Sequence, residues 1–362
     1  MLVQSKNKKV YLEAMRILAI VLVIFNHLPG FLLYQTTSGA KQFPCMLLTV
    51  FTQINVPLFF MISGALLLQK EEDFATVFKK RISRFLLVIL LFEGAQFCLY
   101  AVKASIEGQE FGFTPKRFIY ELLAGTLDVT YWYLYAYLGF LFMLPFMQRI
   151  ARSITKQDFW VLMGLHCFFA TIIPVANILL RGKEIREIAV TDSFSVPLAT
   201  TKAFFYPLIG YYLEHHVEVT KFKGKHVAVL VSVGLTGLLL SWCCTYWEGT
   251  LTGDFTHLYG QLFDYGIVAA TFLLIKYLMV CQCPSLSQGK SGKILCGIGS
   301  LTFGMYLIDP FFKITIYDSY EALLKPVLPT LMISILWIAI SMVMGGIITA
   351  LLKKIPGIKT LL

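Results

Sequence analysis

Two ionisable side chains, Arg16 and His27, interrupt the first long apolar run of the chain, Tyr11 to Leu33. On an α-helix the eleven steps between them make about three full turns, so both project from one face, about 16 Å apart along the axis. Ionisable groups within a membrane span cost roughly 2.5 kcal/mol or more, which makes a functional site the default reading. An imidazole can accept a proton near neutral pH and a guanidinium can hold an anion. Structural roles compete with this. Arg16 is close enough to the helix start to snorkel or to pair with Glu13, and His27 could be a hydrogen-bonded packing residue.

The elements that must position these groups are membrane spans. The chain is 57% hydrophobic and 14% charged, whereas ordinary soluble domains are about 25% charged. Its net charge is +10, but the basic residues sit between apolar runs, which argues against a nucleic-acid partner and for a lipid bilayer. The eight cysteines lie mostly inside apolar runs and form no disulfide or zinc framework. The first run lacks a clear cleavage site and reads as an uncleaved anchor. Apolar runs of roughly 20 residues give about ten candidate spans. They fall at 11–33, 46–68, 84–104, 130–148, 158–180, 197–214, 226–246, 260–281, 295–316 and 328–352. The expected fold is therefore an all-α integral membrane protein forming one transmembrane domain over 1–362, with no appended soluble domain. Basic residues concentrate on the side holding Lys9, Lys79, Lys80, Arg81, Arg84 and Lys353, which by the positive-inside rule places both termini in the cytoplasm.

Further stretches bear on chemistry. Asn55-Val-Pro-Leu-Phe-Phe-Met-Ile-Ser-Gly carries Pro57, a source of a kink, and Ser63 with Gly64, which let another helix approach closely. Phe78-Lys-Lys-Arg-Ile-Ser-Arg carries Arg81 and Arg84 three apart, neighbours on a helix that could grip phosphate in bidentate fashion. The same cluster could serve only topology and lipid contact. Glu93 lies within the third span and could pair with Arg16, pair with His27, or be neutral. Trp132 opens the aromatic run Tyr131-Trp-Tyr-Leu-Tyr-Ala-Tyr, suited to an interfacial belt or to stacking on a sugar. The charged loop 181–196, with Glu184, Arg186, Glu187 and Asp192, could border an acceptor site, although a solvated loop is the simpler reading; Asp264 is a further candidate carboxylate. Ser287-Gln-Gly-Lys-Ser-Gly-Lys is no phosphate loop, because Pro284 stands where its first glycine would fall.

Taken together, Tyr-Leu-Glu-Ala-Met-Arg followed by ten residues and His27, the Phe-rich segment ending in Ser63-Gly64, the Arg81-x-x-Arg84 loop and Gly210-Tyr-Tyr-Leu resemble the acyltransferase-3 family of membrane acyltransferases. The resemblance spans about the whole chain. It implies an O-acyltransferase of the bacterial inner membrane that uses cytoplasmic acyl-coenzyme A, with acetyl as the leading acyl group. It implies no permanently bound cofactor, because the acyl-coenzyme A is a substrate. The acceptor it implies is a hydroxyl of a cell-envelope glycan or lipid-linked sugar. His27 would be general base or acyl carrier, with Arg16, Arg81 and Arg84 holding the donor. Ser63, Gly64, Glu93 and Trp132 would support substrate. One segment departs from the pattern: Tyr306-Leu-Ile-Asp-Pro carries Asp309 where the family usually has histidine, and on a helix Asp309 could pair with Lys313. Two other readings stand beside transfer. Intramembrane Arg16, His27, Glu93 and Asp264 could line the pathway of a transporter or flippase for lipid-linked sugars. The Asp309 departure could instead mark a regulatory subunit with a degenerate site.

Overall fold

The computed structural model describes residues 9–32, 42–124, 129–181, 183, 188, 196–253 and 262–362. Of the loop residues weighed above, Glu184, Arg186, Glu187 and Asp192 lie outside the described residues. The described chain is helical throughout, with no strand. The helices used below are α1 (Val10–Asn26), α2 (Gln42–Thr52), α3 (Asn55–Leu67), α4 (Ser83–Ile106), α5 (Trp132–Ser153), α6 (Lys156–Cys167), α7 (Lys202–His215), α8 (Gly224–Thr252), α9 (Asp264–Tyr277), α10 (Gly289–Gly299), α11 (Thr302–Phe312) and α12 (Thr330–Leu352).

Among the described residues, seven helical segments are long and apolar enough to cross a bilayer, or eight if the bent pair Gly289–Gly299 and Thr302–Leu324 is one span. Length and composition therefore support a multi-span helical protein. Two of the ten expected spans are short: α1 has 17 residues and α7 has 14, against the roughly 20 that hydrocarbon requires. Both are central helices. Leu12, Met15, Ile20 and Ile24 of α1, and Phe205, Tyr206, Leu208 and Ile209 of α7, are buried against other helices rather than lipid. Their apolar character answers to protein packing, so their length need not match the bilayer. By contrast α8 has 29 residues and exposes Val229, Val233, Leu235 and Leu239, as a lipid-facing helix does. It runs past the expected end at 246 to Thr252, so Glu248 is a buried helical residue paired with Arg181.

The tightest crossing joins α3 and α7. A Cβ at Gly64 would overlap the backbone of Pro207, and a Cβ at Gly210 would overlap the backbone of Met61. The two glycines thus let the backbones meet, the small-residue device of membrane helix packing. Pro57 lies in the first turn of α3, and the break between α2 and α3 falls at Gln53 and Ile54, where a proline weakens the preceding turn.

Side-chain bonds show which helix ends lie together. Gln148, late in α5, donates to the Leu67 carbonyl at the end of α3 (3.1 Å) and to Glu72 (3.3 Å). Glu72 in turn binds Arg81, just before α4. His215, at the end of α7, lies 3.1 Å from the Ala65 carbonyl through Nε2. Lys9 and Tyr11, at the start of α1, both donate to Glu214. At the opposite end, Asn26 of α1 reaches the Thr52 carbonyl of α2 (3.5 Å). The starts of α3, α5 and α7 are therefore grouped with the end of α1.

Candidate active site

A cavity of about 790 Å³ runs between these two ends. Lys80, Arg81, Arg84, Leu361 and Leu362 line one end, Arg16 and Ser63 lie further in, and His27 lies beyond them. The opposite end is lined by Gln53, Asn55, Trp132, Lys202 and Lys313. The start of α1 faces the arginine end, so the rise of one helix carries the cavity from Arg16 to His27 over about 16 Å.

His27 immediately follows α1, and its amide nitrogen still bonds to Val23 and Ile24, which holds the residue in helical register. Its Nδ1 lies 2.9 Å from Oδ2 of Asp309. The other carboxylate oxygen, Oδ1, accepts from the Ser341 hydroxyl at 2.7 Å. Asp309 is 1% exposed, so α11 and α12 enclose it while His27 faces the cavity. A carboxylate on Nδ1–H selects the tautomer whose Nε2 carries the lone pair, and it stabilises the imidazolium once a proton arrives. The expected Asp309–Lys313 pair does not form. Both Asp309 oxygens point to His27 and Ser341, and Lys313 lies in the π-turn Lys313–Tyr317 that follows α11. The departure that argued for a degenerate site is thus a direct partner of the histidine.

The arginines are held in place. Arg16 donates from Nη1 to both carboxylate oxygens of Glu13 at 3.0 Å, the one-turn pairing open from the sequence. Arg81 lies in the π-turn Phe78–Ile82 and forks onto Glu72, Nη2 to Oε1 at 3.0 Å and Nε to Oε2 at 3.2 Å. Arg84 donates from Nη2 to the Leu361 carbonyl at 2.9 Å. Burial pushes the Glu72 carboxyl up, but the hydrogen bonds from Arg81 and Gln148 outweigh it and hold the carboxyl below the usual glutamate range. Both Arg81 and Arg84 line the cavity, so the two sit at one mouth.

The remaining candidates divide. Ser63 lines the cavity and donates to the Phe59 carbonyl (2.9 Å), while Gly64 serves the α3–α7 crossing. Trp132 lines the cavity and is 49% exposed at the start of α5. Glu93 does not line it: 2% exposed, it accepts from Tyr135 at 3.2 Å, whereas Arg16 binds Glu13 and His27 binds Asp309. Asp264 is buried, accepts from Tyr206, and also stands outside the cavity lining. Sequence reasoning missed Glu72, Ser341, Gln53, Asn55, Lys202 and the place of Lys313. Glu72, nine residues before Arg81, and Asn55, first in the segment that ends in Ser63-Gly64, carried a local signal.

Among known proteins, no curated protein and no solved structure matches the chain. The family model described as an acyltransferase domain, that of acyltransferase-3, matches residues 9–350, which take in every cavity residue named above except Leu361 and Leu362. The chain belongs to the acyltransferase-3 family of membrane acyltransferases.

Proposed function

We propose that the protein is an O-acyltransferase that moves an acyl group, acetyl in the leading reading, from acyl-coenzyme A to a hydroxyl of a cell-envelope glycan or lipid-linked sugar. The observation that carries this reading is the His27–Asp309 pair, set between two polar ends of one cavity. Family membership supports the reaction class.

His27 accepts the acceptor's hydroxyl proton at Nε2 while Asp309 holds Nδ1–H. The hydroxyl oxygen bonds to the thioester carbonyl carbon and the carbon–sulfur bond breaks. The proton then passes from Nε2 to the departing sulfur, leaving an ester and the thiol of coenzyme A. Lys80, Arg81 and Arg84 hold the donor's phosphates, and its thin arm extends past Arg16 toward His27. Basic residues concentrate on the arginine side, which supports cytoplasmic termini and donor entry from the cytoplasm, in keeping with an even number of spans such as the ten expected and with an inner-membrane location. Acyl-coenzyme A is consumed as a substrate, so no permanently bound cofactor enters the scheme.

The test is release of free coenzyme A from radiolabelled acetyl-coenzyme A by purified protein, with label appearing in an added glycan. The expected result is turnover by the wild type and a loss of about 10³-fold in His27→Ala. Wild-type turnover by a well-folded His27→Ala variant would overturn the mechanism.

A further inference from the structure

The acceptor end of the cavity holds two cations and, among its described lining residues, no acid. Lys202 opens α7, and Lys313 lies one turn beyond Asp309. Among the described residues, neither forms an ion pair or hydrogen bond within the protein. Among the described residues, the acidic groups closest at hand are committed elsewhere. Asp309 binds His27 and Ser341, and Asp264, whose charge reaches Lys202, accepts from Tyr206. The donor's phosphates lie remote from these lysines in the transfer reading. Asn55 begins α3 and Leu67 ends it near Glu72 and Arg81, which separates the two ends by about 20 Å for a helix of this length.

A neutral sugar needs no cation. Aromatic faces such as Trp132 and Tyr133, with amides such as Gln53 and Asn55, would serve it alone. Two lysines beside a membrane-embedded cavity with no ion-pair partner among the described residues, only Lys202 feeling a carboxylate charge at a distance, are costly unless the substrate brings the opposite charge. We infer that the acceptor is an anionic glycan, bearing a carboxylate or a phosphate ester near the hydroxyl that is acylated, and that Lys202 and Lys313 hold that anion. The inference rests on the transfer reading, in which this end receives the acceptor. Lysine, a mobile point charge on a flexible stem, suits an anion whose position varies with the glycan.

The experiment uses the full chain in detergent and three acceptors of equal length: a neutral hexose oligosaccharide, a hexuronate oligosaccharide and a glycerol-phosphate-substituted oligosaccharide. Binding is measured first without donor, by intrinsic tryptophan fluorescence, and transfer of labelled acetyl is measured second. At least one anionic acceptor is expected to bind about tenfold or more tightly than the neutral one, and rising salt should shrink the difference. Which anion wins separates a carboxylate from a phosphate source. The double variant Lys202→Met, Lys313→Met should lose the preference, and Lys202→Arg, Lys313→Arg should keep it, which separates lost charge from lost folding. Equal or tighter binding of the neutral glycan, or a preference unchanged in the Met variant, overturns the inference. A wild type that binds the anionic glycan through the lysines yet consumes no acyl-coenzyme A overturns the transfer reading and leaves the anion site standing.

Discussion

The two ends of the cavity are both basic and, Lys80 aside, they differ in what their cations are doing. At the arginine end each guanidinium has a fixed partner: Arg16 has Glu13, Arg81 has Glu72, and Arg84 has the Leu361 carbonyl. At the opposite end Lys202 and Lys313 have none among the described residues. A forked, anchored guanidinium loses little freedom when it takes a phosphate, whereas a free lysine can follow its ligand at a greater entropic cost. The contrast teaches that a site can be rigid where its ligand is invariant and adaptable where its ligand varies. In the transfer reading the donor end meets the same phosphates at every turnover, while the acceptor end meets a flexible glycan.

His27 stands between the two ends, and its anchor offers the sharpest way to break the comparison. Asp309→Asn keeps the volume but removes the charge that fixes the tautomer and stabilises the imidazolium. The expected loss in kcat is about 10²-fold with little change in the donor's KM. Combined with His27→Ala, the second substitution should add almost nothing, because the two act as one unit. Full additivity, read from steady-state kinetics on all four proteins, would mean that Asp309 acts apart from His27. Next in size is Arg81→Ala. It should raise the donor's KM about tenfold and leave kcat nearly unchanged, with the defect shrinking at high salt. An equal rise in the acceptor's KM would show that the ends do not divide the substrates.

How far the sequence reached follows from where each signal lies along the chain. Arg16 and His27 are legible because one helix spaces them, and Arg81 with Arg84 because one short stretch holds both. Asp309 is 282 residues from His27, and only the packing of α1, α11 and α12 brings them together, so its role was invisible and a local partner, Lys313, looked simpler. Glu93 misled in the opposite direction. A carboxylate in an apolar run suggests chemistry, but here it accepts from the neighbouring Tyr135 away from the cavity. The spans show the same split. The lipid-facing α8 announces itself by length, while α1 and α7, wrapped by protein, fall short of the length that lipid demands.

The smallest effect tests whether anchoring itself matters. Glu72→Gln keeps the shape of the residue that Arg81 forks onto and removes its charge. A partly exposed ion pair contributes at most about 1 kcal/mol, so the donor's KM should rise no more than about fivefold. The direction decides the matter: a rise means the pair organises the guanidinium for phosphate, and a fall means Glu72 competes with the donor, so that the arginine end is restrained rather than prepared. The pH dependence follows from the lowered Glu72 pKa. Because the folded value lies below the ordinary glutamate value of about 4.3, the pair is fully formed above that pH and is lost only as the pH falls through the lowered value. Wild type and Glu72→Gln should therefore differ by a constant factor across neutral pH. Donor binding measured into the acid range should show the two proteins converging only below the ordinary glutamate range; convergence near neutral pH would assign the effect to some other group.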